Sequence, residues 1–202
     1  MTGEQLPRGR HDFTAEQVRE NQRIRLLVAM AEACSADGYQ ETTVAAVIRR
    51  AGISRKTFYE LFSDKEDCFV QAYDLGSAVL MDAIAQARAR EGSWEERLER
   101  GFVALTDAIA DNHAFAEICI LHVWSAGSRA RVRHYETTRR FAVFLQDVGE
   151  ELGSVALGGI VGGISSILLR HLAEGSIDSV RDLVPDLVDM VLLPLEGHRA
   201  RK

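Results

Sequence analysis

The chain has 202 residues, 47% of them hydrophobic, with 24 Lys/Arg against 30 Asp/Glu for a net charge of −6, and three cysteines. Apolar content on that scale supplies a sizeable core and excludes a disordered or low-complexity protein. Cys34, Cys68 and Cys119 are scattered and odd in number, which argues against a disulfide framework and for buried thiols in a reducing compartment. The acidic balance lacks the overall basic footprint of many nucleic-acid binders, so any attraction to phosphate has to come from local placement. Residues 1–72 hold ten Lys/Arg against eleven Asp/Glu, net −1, and the remainder fourteen against nineteen, net −5. Pro7, Pro185 and Pro194 lie near the ends and period-two alternation is scarce, so the predicted fold class is all-α.

Residues 1–13, with Arg8 and Arg10, read as a flexible arm whose arginines either reach an adjacent minor groove or make no contact. A Thr14–Gln17 capping box opens the first helix. Its apolar positions Ile24, Leu27, Val28, Ala31 and Cys34 keep helical spacing up to a stop at Gly38. The next forty residues carry the sharpest pattern: a short amphipathic helix over Thr43–Ala51, a turn at Gly52-Ile53-Ser54, and a second short helix over Arg55–Phe62. This is a helix-turn-helix. Phe58, Leu61 and Phe62 form the inner face of the second helix, capped by Ser54, while Arg55, Lys56, Thr57 and Tyr59 point outward. Arg55 and Lys56 lie in the first turn, where the helix dipole disfavours a cation by roughly 0.3–1 kcal/mol. Lys65 follows the same pattern inside a Ser63–Glu66 capping box. Any one of these cations alone reads as a solvated charge; three beside such a turn point to DNA phosphate.

Thr42-Thr43-Val44, Ala51-Gly52-Ile53-Ser54, Thr57-Phe58-Tyr59, Phe62 and Lys65-Glu66 resemble the signature of the TetR family of bacterial transcriptional regulators, over about the first third of the chain. The resemblance implies phosphate contacts at Thr43, Tyr59 and Lys65, and base-edge contacts at Arg55, Lys56 and Thr57. It also implies a helical ligand-binding and dimerisation domain, with the last two helices of each subunit in a four-helix bundle. Two positions depart from the family: Ile48, where a small alanine is usual, and Leu61, where a histidine is frequent.

Beyond the turn, a long helix is predicted from Asp64 to about Arg88, then a break at Arg90–Ser93. A Ser93–Glu96 capping box opens a helix to about Asp111. Helices follow over about 113–124, 128–152, 154–173 and 177–193, the last bent at Pro185, and a frayed basic tail closes the chain. The expected domains are the arm (1–13), the DNA module (14–70), a ligand-binding and dimerisation unit (71–195) and the tail (196–202).

Gly153–Leu169 is uncharged and nearly long enough to cross a membrane, but it holds three serines and has no second apolar span beside it. It reads as a buried helix of a protein without membrane association. Its Gly158/Gly162 and Gly159/Gly163 pairs suit close helix approach, and the expected dimer contacts are these four glycines with Ile167, Leu187, Met190 and Val191.

The ligand candidates are Tyr73, Ser77, Met81, Phe102, Leu105, Thr106, Ile109, Cys119, His122, Trp124, Tyr135, Thr138 and Phe141. Such an aromatic and sulfur-rich lining favours a small apolar or aromatic effector. Cys119 and His122, at i and i+3, read as pocket or core side chains ahead of metal ligands. Neither a cofactor nor a catalytic motif is indicated. The expected protein is a cytoplasmic homodimer that binds a pseudo-palindromic double-stranded operator, most simply as a repressor released by its effector. The alternative is an all-helical enzyme or small-molecule carrier with a structural helix-turn-helix corner.

Overall fold

The computed structural model describes residues 14–201; Arg8 and Arg10 lie outside the described residues. Ten α-helices order as α1 (Ala15–Glu41), α2 (Val44–Ala51), α3 (Arg55–Leu61), α4 (Lys65–Arg88), α5 (Trp94–Asp111), α6 (His113–Ile120), α7 (Ser128–Ala142), α8 (Gln146–Leu152), α9 (Ser154–Ala173) and α10 (Val184–Arg199). Three 3₁₀ turns separate some of them, and no strand occurs among the described residues.

The local signals act as the sequence predicts at most helix starts. Thr14 Oγ1 accepts from Gln17 N and Gln17 Oε1 from Thr14 N, and Ser93 and Glu96 repeat the box at α5. Helix α1 buries Leu26, Leu27, Met30 and Cys34 completely. Gly38, at φ 76° and ψ 159°, kinks α1, and one further turn carries it to Glu41.

At the end of α2, Gly52 takes φ 64° while its N–H donates to Arg49 O and that of Ile53 to Ile48 O. This Schellman turn aims α3 away from α2. A Cβ on Gly52 would lie 3.1 Å from the Arg25 guanidinium, which itself donates to Ala51 O. Gly52→Ala is therefore expected to lower unfolding stability by about 1–2 kcal/mol, the left-handed penalty for an L side chain, measurable by urea titration.

Four expectations change. The cap of α4 is Asp64, accepting from Asp67 N at 2.8 Å, and Ser63 N donates back to Asp67 Oδ2 at 2.8 Å. The box is shifted one residue because Asp67 supplies the returning carboxylate. The 128–152 helix breaks into α7, a 3₁₀ turn at Val143–Leu145 and α8; the tighter turn sets Phe144 and Leu145 beside Phe141 along one cavity. Pro185 does not bend a helix. It sits at the start of α10, where its missing N–H has no partner to lose, after a 3₁₀ segment at Ile177–Leu183. The tail is shorter than expected, because α10 continues to Arg199, whose guanidinium grips Glu151 at 2.8 and 2.9 Å.

The boundary expected at residues 70–71 falls inside α4. Phe69 and Tyr73, one turn apart on this helix, are 0% and 1% exposed. Helix α4 is thus a continuous rod shared by the N-terminal module and the rest. Gly76 lets α6 approach it closely, with Phe115 Cβ and Cys119 Sγ at 3.1 and 3.0 Å from the position of a Cβ.

Candidate nucleic-acid interface and cavity

Helix α3 is only seven residues long and rests on its inner face, where Phe58 and Phe62 are 0% and 2% exposed with ring centres 5.4 Å apart. Ser54 Oγ caps it by accepting from Thr57 N at 3.1 Å and also meets Thr57 Oγ1 at 2.9 Å. Thr43 Oγ1 caps α2 through Ala46 N at 3.1 Å. Arg55, Lys56 and Tyr59 are exposed, and Thr57 is half-buried beside its cap. The Arg55 guanidinium lies 5.7 Å over the Tyr59 ring, and Lys56 meets only Glu60, at 3.7 Å, with its side chain 87% exposed. No acid sits in the first turn of α3. Two cations and a phenol therefore face outward without an internal partner of consequence, while the Thr57 hydroxyl is engaged with the Ser54 cap.

Lys65 stands elsewhere. Its Nζ donates to Tyr39 O and Thr42 O, both at 2.9 Å, and lies 4.0 Å from the Tyr39 ring centre. Those carbonyls belong to buried residues at the C-terminal end of α1, so Lys65 ties α1 to α4; a phosphate there would meet one remaining ammonium proton.

Behind this module, α4, α5, α6, α7 and α9 enclose a cavity of about 410 Å³. Of the thirteen ligand candidates, Tyr73, Ser77, Phe102, Leu105, Cys119, Trp124, Tyr135, Thr138 and Phe141 line it. Met81, Thr106, Ile109 and His122 do not. Thr106 is fully buried with its hydroxyl donating to Phe102 O and Val103 O, and Ile109 is a core residue at 0% exposure. His122 turns to Glu117, 4.0 Å away.

The sequence reading missed Leu80, Ile84, Arg88, His134 and the α9 wall from Val161 to Leu169. The α4 members were legible, since Leu80, Ile84 and Arg88 continue the Tyr73–Ser77 stripe at helical spacing. The α9 wall was hidden because that helix was assigned to dimerisation alone.

Tyr73 Oη and His134 Nδ1 lie 3.3 Å apart, and the His134 ring packs edge-on against Trp124 at 4.7 Å. Burial lowers the His134 pKa below its ordinary value, which favours neutral imidazole, and pushes the Tyr73 phenol up to about 12. Burial likewise pushes the Cys119 thiol up to about 12, where it is inert, and its Sγ donates weakly to Tyr73 O. Among the described lining residues Arg88 is the one cation, and none carries a carboxylate. No cluster of three metal-binding side chains occurs among the described residues.

The expected dimer set also divides. Gly158, Gly159 and Gly162 are exposed, and a Cβ at any of them would meet nothing within 4 Å, whereas one at Gly163 would lie 2.7 Å from Met190 Cε. Gly163 and Met190 thus pack together within the chain. Leu187 and Val191 are 0% exposed, because α10 turns its Leu187–Val191–Leu195 stripe into the core, and Ile167 is half-buried. The outward apolar side chains are Val155 on α9 at 89% and Leu193 on α10 at 62%.

A helix-turn-helix continuous, through one rod, with the wall of an apolar cavity is the arrangement expected of a regulator that carries its own ligand domain. Residues 26–72 match the model of the bacterial regulatory proteins of the tetR family. The chain is 20% identical over 155 residues to the fatty acid metabolism regulator protein of Bacillus subtilis (strain 168), covering 77% of this chain and 79% of that one. Its fold is shared with the fatty acid degradation regulator FadR of Bacillus halodurans (TM-score 0.74, 17% identity, 85% and 94% of the two chains). It is shared as well with FadR of Bacillus subtilis, solved in complex with stearoyl-CoA (TM-score 0.71, 16% identity, 83% and 97%). A TetR-like transcriptional regulator from Rhodococcus sp. RHA1 matches over 96% of this chain and 100% of its own (TM-score 0.65, 19% identity). Residues 26–72 are thus a DNA-binding module of the tetR type, and the chain as a whole has the fold of these regulators.

Proposed function

We propose that this regulator is a cytoplasmic, homodimeric repressor that binds a pseudo-palindromic operator and is released by a long-chain acyl ligand, taken up as acyl-CoA. The observation that carries the ligand class is the cavity. It runs along α4 from Tyr73 to Arg88, fifteen helical steps, which at the helical rise is about 22 Å. Its walls are apolar, its one cation stands at one end, and it offers no carboxylate to a cationic ligand. A long chain with an anionic head fits that outline better than a compact aromatic molecule, which refines the smaller effector expected from sequence. The stearoyl-CoA complex of the Bacillus subtilis protein of the same fold supports the choice.

For DNA, the supported assignment is base-edge contact by Arg55, Lys56 and Thr57, and phosphate contact by Thr43 and Tyr59, with the exposed face of α9 setting the dimer. In B-DNA the half-site centres would then lie about 34–36 Å apart.

Thermal unfolding with and without stearoyl-CoA tests the ligand. At one hundred times its dissociation constant a ligand adds about 2.7 kcal/mol of apparent stability, and Leu105→Trp, which fills the cavity, is expected to remove that gain while leaving operator binding intact. A melting temperature indifferent to acyl-CoA of every chain length would make the helical unit a dimerisation scaffold.

A further inference from the structure

Helix α7 begins without a cap of its own. Its N-cap position is Gly127, at φ 123°, and no side chain there accepts from the first turn. Such a start leaves orphan N–H donors at the positive end of the helix dipole. The missing acceptor comes from 63 residues earlier, where Glu66, in the first turn of α4, accepts from Arg129 N at 2.9 Å. The same carboxylate accepts from Ala130 N at 3.4 Å and from Arg129 Nε at 3.1 Å. Arg129 also donates to Asp64, the cap of α4, at 2.5 Å. A Cβ on Gly127 would lie 2.6 Å from Glu66 Cδ, so both the backbone angle and the approach of the carboxylate require glycine.

These bonds join two functional surfaces. Asp64 follows the end of α3 by three residues, and Lys65, next to Glu66, holds Tyr39 O and Thr42 O just before α2. At the other end of the contact, α7 carries His134, Thr138 and Phe141 along the cavity wall. A stiff helix transmits a shift of its wall residues to its first turn, where Glu66 is bound.

We propose that Glu66 is the positioning residue of the ligand response: it caps α7 across the two units, so a displacement of α7 by ligand moves the first turn of α4 and with it the DNA module. The inference rests on the effector-responsive reading above, and its test separates the two.

Hydrogen exchange on free and operator-bound dimers reads the coupling without ligand. In the wild type, operator binding is expected to change protection at residues 127–131; in Glu66→Ala that response vanishes while protection of α2 and α3 by DNA remains. Operator affinity is then measured with and without stearoyl-CoA. By linkage a wild-type ratio of about ten or more is expected to fall below about threefold in Glu66→Ala, with the ligand's own affinity unchanged. Glu66→Gln, which keeps an acceptor oxygen for the α7 N–H groups, recovers part of the ratio, a rescue that a general loss of stability does not produce.

Arg129→Ala removes the side-chain bonds to Asp64 and Glu66, spares the backbone cap, and replaces Glu66→Ala if that variant does not fold; a partial loss of ratio is expected. An exchange response at 127–131 that survives Glu66→Ala, or is absent from the wild type, overturns the proposal. A wild type with that response but indifferent to stearoyl-CoA overturns the acyl-ligand reading alone.

Discussion

Arg55→Ala combined with Lys56→Ala is expected to weaken operator binding by at least thirtyfold, with the folded protein as stable as before or slightly more so. The two halves of that result have separate causes. In the free protein both cations stand in the first turn of α3, against the helix dipole, and no acid in that turn offsets them. Their partners are weak. Lys56 and Glu60 form an exposed pair at 3.7 Å, and Arg55 makes a solvent-facing contact with the Tyr59 ring; interactions of this kind contribute about 1 kcal/mol or less. Removing the pair therefore leaves Phe58, Phe62 and the Ser54 cap, which hold α3 in place, untouched.

In the proposed operator complex the same residues would face base edges and phosphates, where each contact is worth about 1–3 kcal/mol, or roughly 2–6 kcal/mol for two. Anisotropy titrations at two salt concentrations would show the loss, with a shallower salt dependence for any phosphate contact removed. Tyr59→Ala, at a side chain 47% exposed, is expected to weaken all sequences by a similar factor. Unchanged affinity in both variants, in a folded dimer, would make the helix-turn-helix a structural corner and restore the carrier reading.

The DNA module was legible in the sequence because its determinants are local. Gly52 closes a Schellman turn, Ser54 and Thr43 cap helices within three residues, and the inner and outer faces of α3 follow from helical spacing alone. Where a determinant is long-range, the sequence was silent. Lys65 has the surroundings of a phosphate ligand in sequence, yet its ammonium is held by carbonyls 23 and 26 residues away. The partnership of Glu66 with Gly127 and Arg129 spans more than sixty positions and leaves no periodic trace.

The cavity lies between these limits. Nine of its lining residues followed from helical faces pointing away from the surface, while the α9 contribution required knowing that the helix expected at the dimer contact also walls the cavity. Leu187 and Val191 were misassigned for a related reason: a stripe at i and i+4 identifies a buried face but not whether the neighbour is the same chain or another.

The same ambiguity makes α9 the place for the second large effect. Only 22% of its apolar stretch is buried within the chain, against 44% for α4. Gly158, Gly159 and Gly162 lie on its exposed side at positive-φ-free helical positions with open space where a Cβ would go. Inside one chain these glycines are a liability, since alanine would stabilise the helix by about 0.8–1 kcal/mol at each. A close-packed partner helix supplies a reason for them, because three Cβ atoms on each subunit would hold the helices apart.

The triple variant Gly158→Ala, Gly159→Ala, Gly162→Ala is accordingly expected to respond with opposite signs in two measurements. Urea unfolding of the isolated subunit should show a gain of about 2–3 kcal/mol from helix propensity. Sedimentation velocity should show the dimer weakened by about a hundredfold or more, an overpacking penalty of about 1–3 kcal/mol felt on both sides of a symmetric contact. Operator affinity would fall with the dimer, because a subunit alone reaches one half-site. A variant that is more stable and equally dimeric would place the partner on another face, with Leu193 and Val155 the exposed apolar side chains left to explain.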